Sequence, residues 1–111
     1  MSCEPVYIDK PWVKKVAFAQ SITVEGKLLF SSGITARAPD GSVIGVGNMR
    51  KQIETCFANL GDLLSAAGAN FGDVIKYTMY TTDIDAIREH TDLYRGYFID
   101  YPASTLVEVS K

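Results

Sequence analysis

The chain has 111 residues, enough for one domain with a modest core, and 11 basic against 13 acidic side chains leave a net charge of −2. That balance excludes capture of nucleic acid through a basic stripe, and a core of this size gains from self-association. One histidine and two cysteines, with no CxxC or HxxxH spacing, argue against a metal centre and a disulfide scaffold.

The opening stretch MSCEPVYIDK carries acid and proline early and has no apolar core, so it does not read as a secretory signal. No apolar run reaches the length of a membrane span. The cytoplasm is the default expectation, without membrane partners, with nucleic acid disfavoured as a partner and with no cofactor. Cys3 is expected in a loose tail. The only basic pairs, Lys14-Lys15 and Arg50-Lys51, read as solvated faces.

Ser21-Ile22-Thr23-Val24-Glu25 alternates between apolar and polar, Gly26-Lys27 makes a turn, and Leu28-Leu29-Phe30-Ser31-Ser32 resumes before Gly33. Two such runs around a glycine-containing pair predict a hairpin. Pro39-Asp40-Gly41-Ser42 predicts a turn, because proline presets φ and glycine tolerates a positive one. Met49, Ile53, Cys56, Leu60, Leu63 and Ala67 recur at steps of three and four, one face of an amphipathic helix that Phe57 and Leu64 widen. Asn48 is the expected N-cap and Gly68 the expected stop.

The run 74–82, rich in β-branched and aromatic residues, predicts a strand with no wholly polar face, which suits a central position. Asp83 caps a second helix predicted from Asp85 to Phe98, with Ile87, Tyr94, Tyr97 and Phe98 on its buried side. Tyr101-Pro102 breaks it. Leu106-Val107-Glu108-Val109 is the last strand. The order hairpin, helix, strand, helix, strand predicts a single α+β domain over residues 1–111: one sheet with two helices on one face. The open face predicts self-association.

Four stretches together resemble the RidA/YjgF family, a group of enamine/imine deaminases also labelled endoribonuclease L-PSP. They are Phe30-Ser31-Ser32-Gly33; the helix from Gln52 through Asn59-Leu60 to Ala66-Ala67-Gly68; Asp73-Val74-Ile75-Lys76 followed by Thr78 and Asp83; and Pro102-Ala103 with Val107-Glu108-Val109. They run in the family's order and cover Val16 to Val109, nearly the whole chain. The resemblance implies a chorismate mutase-like fold and a homotrimer with three clefts between subunits that bind small ligands. It also implies a chemistry: in deaminating members an arginine holds the substrate carboxylate while water adds to an imine carbon and ammonia leaves. Arginine suits that task because its planar fork makes two parallel, charge-assisted bonds.

Carried over residue by residue, the resemblance places Phe18, Ser32, Gly33, Thr91, Ser104 and Leu106 at the ligand site. Ser32 and Gly33 match the family pattern. The arginine position after Pro-Ala is Ser104, the family's tyrosine is Phe18, its helix asparagine is Thr91 and its cysteine is Leu106. Losing a bidentate ion pair in a desolvated cleft costs a bound carboxylate roughly 2–5 kcal/mol. No residue is assigned a catalytic role. Arg37, Arg88 and Arg95 are candidates for restoring a charge, against the simpler reading of surface arginines. His90 reads as a surface helix residue, and Cys56 as a small core residue. Family members continue past the VEV run into one more strand bearing an acid; this sequence stops at Lys111, and the expectation is a longer native chain.

Three readings stay open on the sequence: an enamine or imine deaminase with an atypical substrate, a noncatalytic metabolite-binding trimer, and RNA handling. The acidic balance argues against the third. Fold alone does not choose among them.

Overall fold

The computed structural model describes residues 2–10, 12, 18–98, 100 and 102–111. Lys14, Lys15, Val16 and Tyr101 lie outside the described residues. In chain order the elements are β1 (Ser2–Val6), β2 (Ser21–Glu25), α1 (Met49–Ala66), a 3₁₀ turn at Phe71–Asp73, β3 (Lys76–Thr81), α2 (Ile84–Arg88), α3 (Thr91–Arg95) and β4 (Ala103–Glu108). The architecture is mixed α+β, as the periodicity predicted. Four details differ from the sequence reading.

The first is the hairpin. β2 forms where its alternation places it, but its partner is β1, antiparallel, with Cys3 opposite Val24 and Pro5 opposite Ile22. Cys3 therefore sits in a strand, not in a loose tail. Leu28–Gly33 forms no strand, and Phe30 is 85% exposed. Alternation tells a strand from a helix; it does not name the strand's partner.

The second concerns the sheet, which is divided. β1–β2 is one two-stranded ribbon and β3–β4 another, the latter parallel with Tyr77 opposite Ser104 and Met79 opposite Leu106. A parallel bridge joins them at Ala19 and Ala103, where Ala19 N–H donates to the Pro102 carbonyl at 3.0 Å. Ala19 is 1% exposed. The third is the position of β3: among the described residues it pairs only with β4, so it is not central, and it begins at Lys76, after Val74 and Ile75.

The fourth is the second helix, which splits into α2 and α3. Thr91 explains the break. Its hydroxyl donates to the Arg88 carbonyl at 2.8 Å, an acceptor that a continuous helix would give to a backbone N–H. The flanking bonds tighten accordingly, His90 N–H to Ile87 O and Leu93 N–H to His90 O.

The caps stand as predicted. Asn48 Oδ1 accepts from Lys51 N–H at 3.0 Å, and Asp83 Oδ1 accepts from Ala86 N–H at 3.0 Å. Gly68 takes φ +75° beyond α1; its N–H reaches Ser65 O, and Ala69 N–H reaches Leu64 O at 2.8 Å. That pair of bonds is a Schellman closure.

The core lies between α1, α2–α3 and the inner face of β3–β4. Ile53, Phe57, Ile87 and Phe98 are buried at its centre, with Tyr77, Met79, Leu93, Tyr94, Tyr97 and Leu106 packed around them. On α1 the buried stripe runs through Ile53, Phe57 and Leu64, while Leu63 and Ala67 are exposed. Of these three, the spacing places Ile53 on the predicted face and Phe57 and Leu64 at its edge. Phe57 stacks on Tyr97 at 4.3 Å and meets Phe98 edge-on at 5.8 Å. Burying an aromatic side chain of this kind contributes about 1.5–3 kcal/mol.

Candidate functional site

β3 and β4 bring the site together. In a parallel pair, opposed residues share a face of the sheet. Tyr77 and Ser104 are therefore neighbours on the side that faces the helices. Ser104 follows Ala103, the residue bridged to Ala19, so half-buried Phe18 sits at the same end of β4. Leu106, two residues along the face, packs on the hydrophobic core.

The Tyr77 ring is held from behind by Phe98, stacked at 5.0 Å and 12°. Burial pushes the Tyr77 phenol above its ordinary range. The Ser104 hydrogen bond pulls the other way, and Tyr94 lies near enough for its charge to add to the rise. Tyr94 in turn meets Thr91, hydroxyl to hydroxyl at 3.3 Å. The result is a set of four half-buried hydroxyls, from Ser104 and Tyr77 on the strands and Tyr94 and Thr91 on α3.

Of the six residues predicted for the site, the structure places Ser104 and Thr91 in this set, with Phe18 and Leu106 at the same strand pair. It does not bring Ser32 and Gly33 into it. Both are exposed in the irregular segment between β2 and α1. Arg37 is engaged locally: Nη1 donates to the Gly41 carbonyl at 2.6 Å across the predicted turn. That turn is closed by Asp40, whose carboxyl accepts from the Ser42 hydroxyl and N–H and is held below its usual range by them.

Tyr77 and Tyr94 were missed by sequence reasoning, which read Tyr77 only as an apolar member of the strand run and Tyr94 as a residue on the buried side of the second helix. The available signal was the period-two phase of β3, which puts Tyr77 on the helix side with Met79. The parallel register that sets it opposite Ser104 passes through a crossover, and no local pattern encodes it.

Three motif residues have structural work. Gln52 Nε2 donates to Gly45 O at 2.8 Å. Asn59 Nδ2 donates to Thr35 O at 3.1 Å and Arg37 O at 3.0 Å. Together these amides fasten the segment before α1 onto the helix. Glu108 accepts from Ile84 N–H at 3.0 Å, capping α2 beside Asp83.

Comparison with known proteins places the chain in a family. Residues 11–111 match the family described as Endoribonuclease L-PSP. A RutC family protein of Pyrococcus abyssi is 30% identical over 112 residues, spanning 100% of this chain and 87% of that relative. The 2-iminobutanoate/2-iminopropanoate deaminase of Homo sapiens is 26% identical over 94 residues, spanning 84% of this chain and 68% of that protein. Among solved structures, the Rid family protein YyfA of Yersinia pestis superposes with a TM-score of 0.69 at 30% identity, over 84% of this chain and 75% of that one. The Rid family protein YyfB of Yersinia pestis reaches a TM-score of 0.82 over 100% of this chain and 88% of that one; at 22% identity it speaks for the fold alone. The chain belongs to the endoribonuclease L-PSP family, the RidA/YjgF proteins, and has their fold.

Among the described residues, no helix is long and apolar enough to cross a membrane.

Proposed function

We propose that this protein is a small-molecule-binding member of the family that hydrolyses an enamine or imine lacking the usual carboxylate. Water adds to the C=N carbon, the C–N bond breaks, and a carbonyl compound and ammonia leave. The ligand sits in clefts between three copies of the chain, lined by Phe18, Ser32, Gly33, Thr91, Ser104 and Leu106. Two findings support the reaction class: family membership, and relatives that carry the name of imine deaminases.

The observation that carries the substrate class is Ser104. It stands where the resemblance implies an arginine, and it lies opposite Tyr77 in the parallel register of β3 and β4. A neutral hydroxyl pair gives a carboxylate no countercharge.

A second reading, binding without turnover, draws on Tyr77 itself. A phenol pushed above its ordinary range holds its proton at neutral pH and does not act as a base.

Ammonia release decides between them. Freshly generated 2-iminopropionate and a carboxylate-free imine are offered in parallel, with the human deaminase as positive control. The hydrolase reading expects faster turnover of the carboxylate-free imine, and a gain on 2-iminopropionate in Ser104→Arg. Ammonia from neither imine, with thermal stabilisation by a bound metabolite, would establish the binding reading instead.

A further inference from the structure

One face of the β1–β2 ribbon is apolar without joining the central core. Side chains alternate along a strand, so Cys3 and Pro5 share a face of β1. Their partners Val24 and Ile22 share it on β2, where both are half-buried while Ser21, Thr23 and Glu25 are exposed. This face borders a cavity of about 430 Å³, lined from the ribbon side by Cys3, Pro5, Tyr7 and Ile22. The rest of the lining includes Val74 and Ile75, which lead into β3, and Asp100 and Pro102, which lead into β4. A volume of this size is in the range of small-molecule sites. None of the six residues assigned to the ligand site above lines it.

The chemistry of the lining is one-sided. Prolines and branched aliphatic side chains form its apolar part, and Pro102 is fully buried. Asp100 is the one charged group among the described lining residues, which include no Lys, Arg or His. An anionic ligand would meet the like charge of Asp100 with no cation to offset it. A neutral apolar ligand would cover part of the carboxylate and give it no partner. An ammonium ion supplies the missing countercharge. Tyr7 favours the same sign, because the face of a phenol ring attracts a cation.

We propose that this cavity is a second small-molecule site, and that it takes a monocationic amine with an apolar body. The ammonium group pairs with the Asp100 carboxylate beside the Tyr7 ring, and the apolar body lies against Ile22, Val74 and Ile75. The site requires neither imine hydrolysis nor clefts between copies of the chain, so it goes beyond the function proposed above.

The test is calorimetric titration at neutral pH with three probes that share a phenylethyl body: 2-phenylethylamine, 2-phenylethanol and 3-phenylpropionate. Wild type is expected to bind the amine about fivefold more tightly than the alcohol, the upper end for an ion pair at an exposed carboxylate. The propionate is expected to bind most weakly. Asp100 is exposed, so its variants keep the fold. Asp100→Asn is expected to bring the amine-to-alcohol ratio close to one, and Asp100→Lys to favour the propionate. Cys3 gives a readout of position, since its thiol lines the cavity and that of Cys56 does not. Saturating 2-phenylethylamine is expected to slow alkylation of Cys3 by iodoacetamide and to leave Cys56 unchanged, as read by peptide mass mapping.

Equal or tighter binding of 3-phenylpropionate by wild type, no binding of the amine, an amine preference that survives in both Asp100 variants, or alkylation of Cys3 at an unaltered rate would each overturn the proposal. Ammonia release is a separate measurement, so this inference and the hydrolase reading can fail independently.

Discussion

Two acids in this chain gain a proton's hold from burial. Desolvation pushes the Cys56 thiol above its ordinary value of 9.0 and the Tyr77 phenol above 10.0. In the unfolded chain both return to those values, so between the two pKa values the folded state binds more protons. The stability they contribute is complete below the unfolded pKa and is lost as pH rises through the folded one. The melting temperature is therefore expected to fall as pH rises from 9 upward, and Cys56→Ala should flatten the first part of that decline. A series of thermal melts across pH checks it; a decline of the same shape in the variant would remove Cys56 as a cause. The same burial makes Cys56 a poor nucleophile, which agrees with its sequence reading as a small packing residue.

Among the elements, the loop leading into α1 carries the sharpest conformational demand. Gly45 and Gly68 both hold positive φ, +79° and +75°. A Cβ at Gly68 would meet open space, whereas one at Gly45 would lie 3.1 Å from Gln52 N and 3.2 Å from Asn48 O. Gly68→Ala is expected to cost about 1–2 kcal/mol from backbone strain. Gly45→Ala should cost more, because strain and crowding add at the site where Gln52 fastens the loop. Urea denaturation of the two variants gives the order; a smaller loss at Gly45 would contradict it.

Local chemistry made most elements legible in advance. Asn48, Asp83 and Gly68 announced helix ends through groups that satisfy orphan backbone donors and acceptors, and the structure uses all three. What stayed hidden was whatever depends on a distant partner. The partner of β2 is β1, whose SCEPV sequence has low strand propensity and a proline. The split between α2 and α3 turns on one Thr91 bond inside a pattern that otherwise reads as a single helix. The candidate site was half legible: Ser104 and Thr91 entered through family resemblance, while Tyr77 and Tyr94 needed the parallel register and the placement of α3.

At the scale of the molecule, the outer face of β3–β4 is uncovered. Tyr80 is 70% exposed there, on the same face as Lys76, whose Nζ donates to Thr105 Oγ1 at 2.9 Å. Leu28, Leu29, Phe30, Val43 and Val46 add further exposed apolar surface before α1. Exposed apolar surface of this kind is characteristic of association surfaces where it is contiguous. Light scattering at micromolar concentration is expected to give three times the 12.2 kDa chain mass, and Tyr80→Lys to lower it. A monomeric wild type would end the proposal of clefts between subunits.

The division of the sheet has a further meaning. The central core cluster takes no residue from β1 or β2, and the described ladder joins that ribbon to the rest at Ala19 and Ala103. An isolated two-stranded ribbon is marginally stable in water. Its opening therefore costs less free energy than melting the aromatic cluster around Phe57, and the fold has two tiers of local stability. The backbone amides of Cys3, Val24 and their neighbours exchange with solvent through the cheap tier, those of Ile53 and Phe57 only through the dear one.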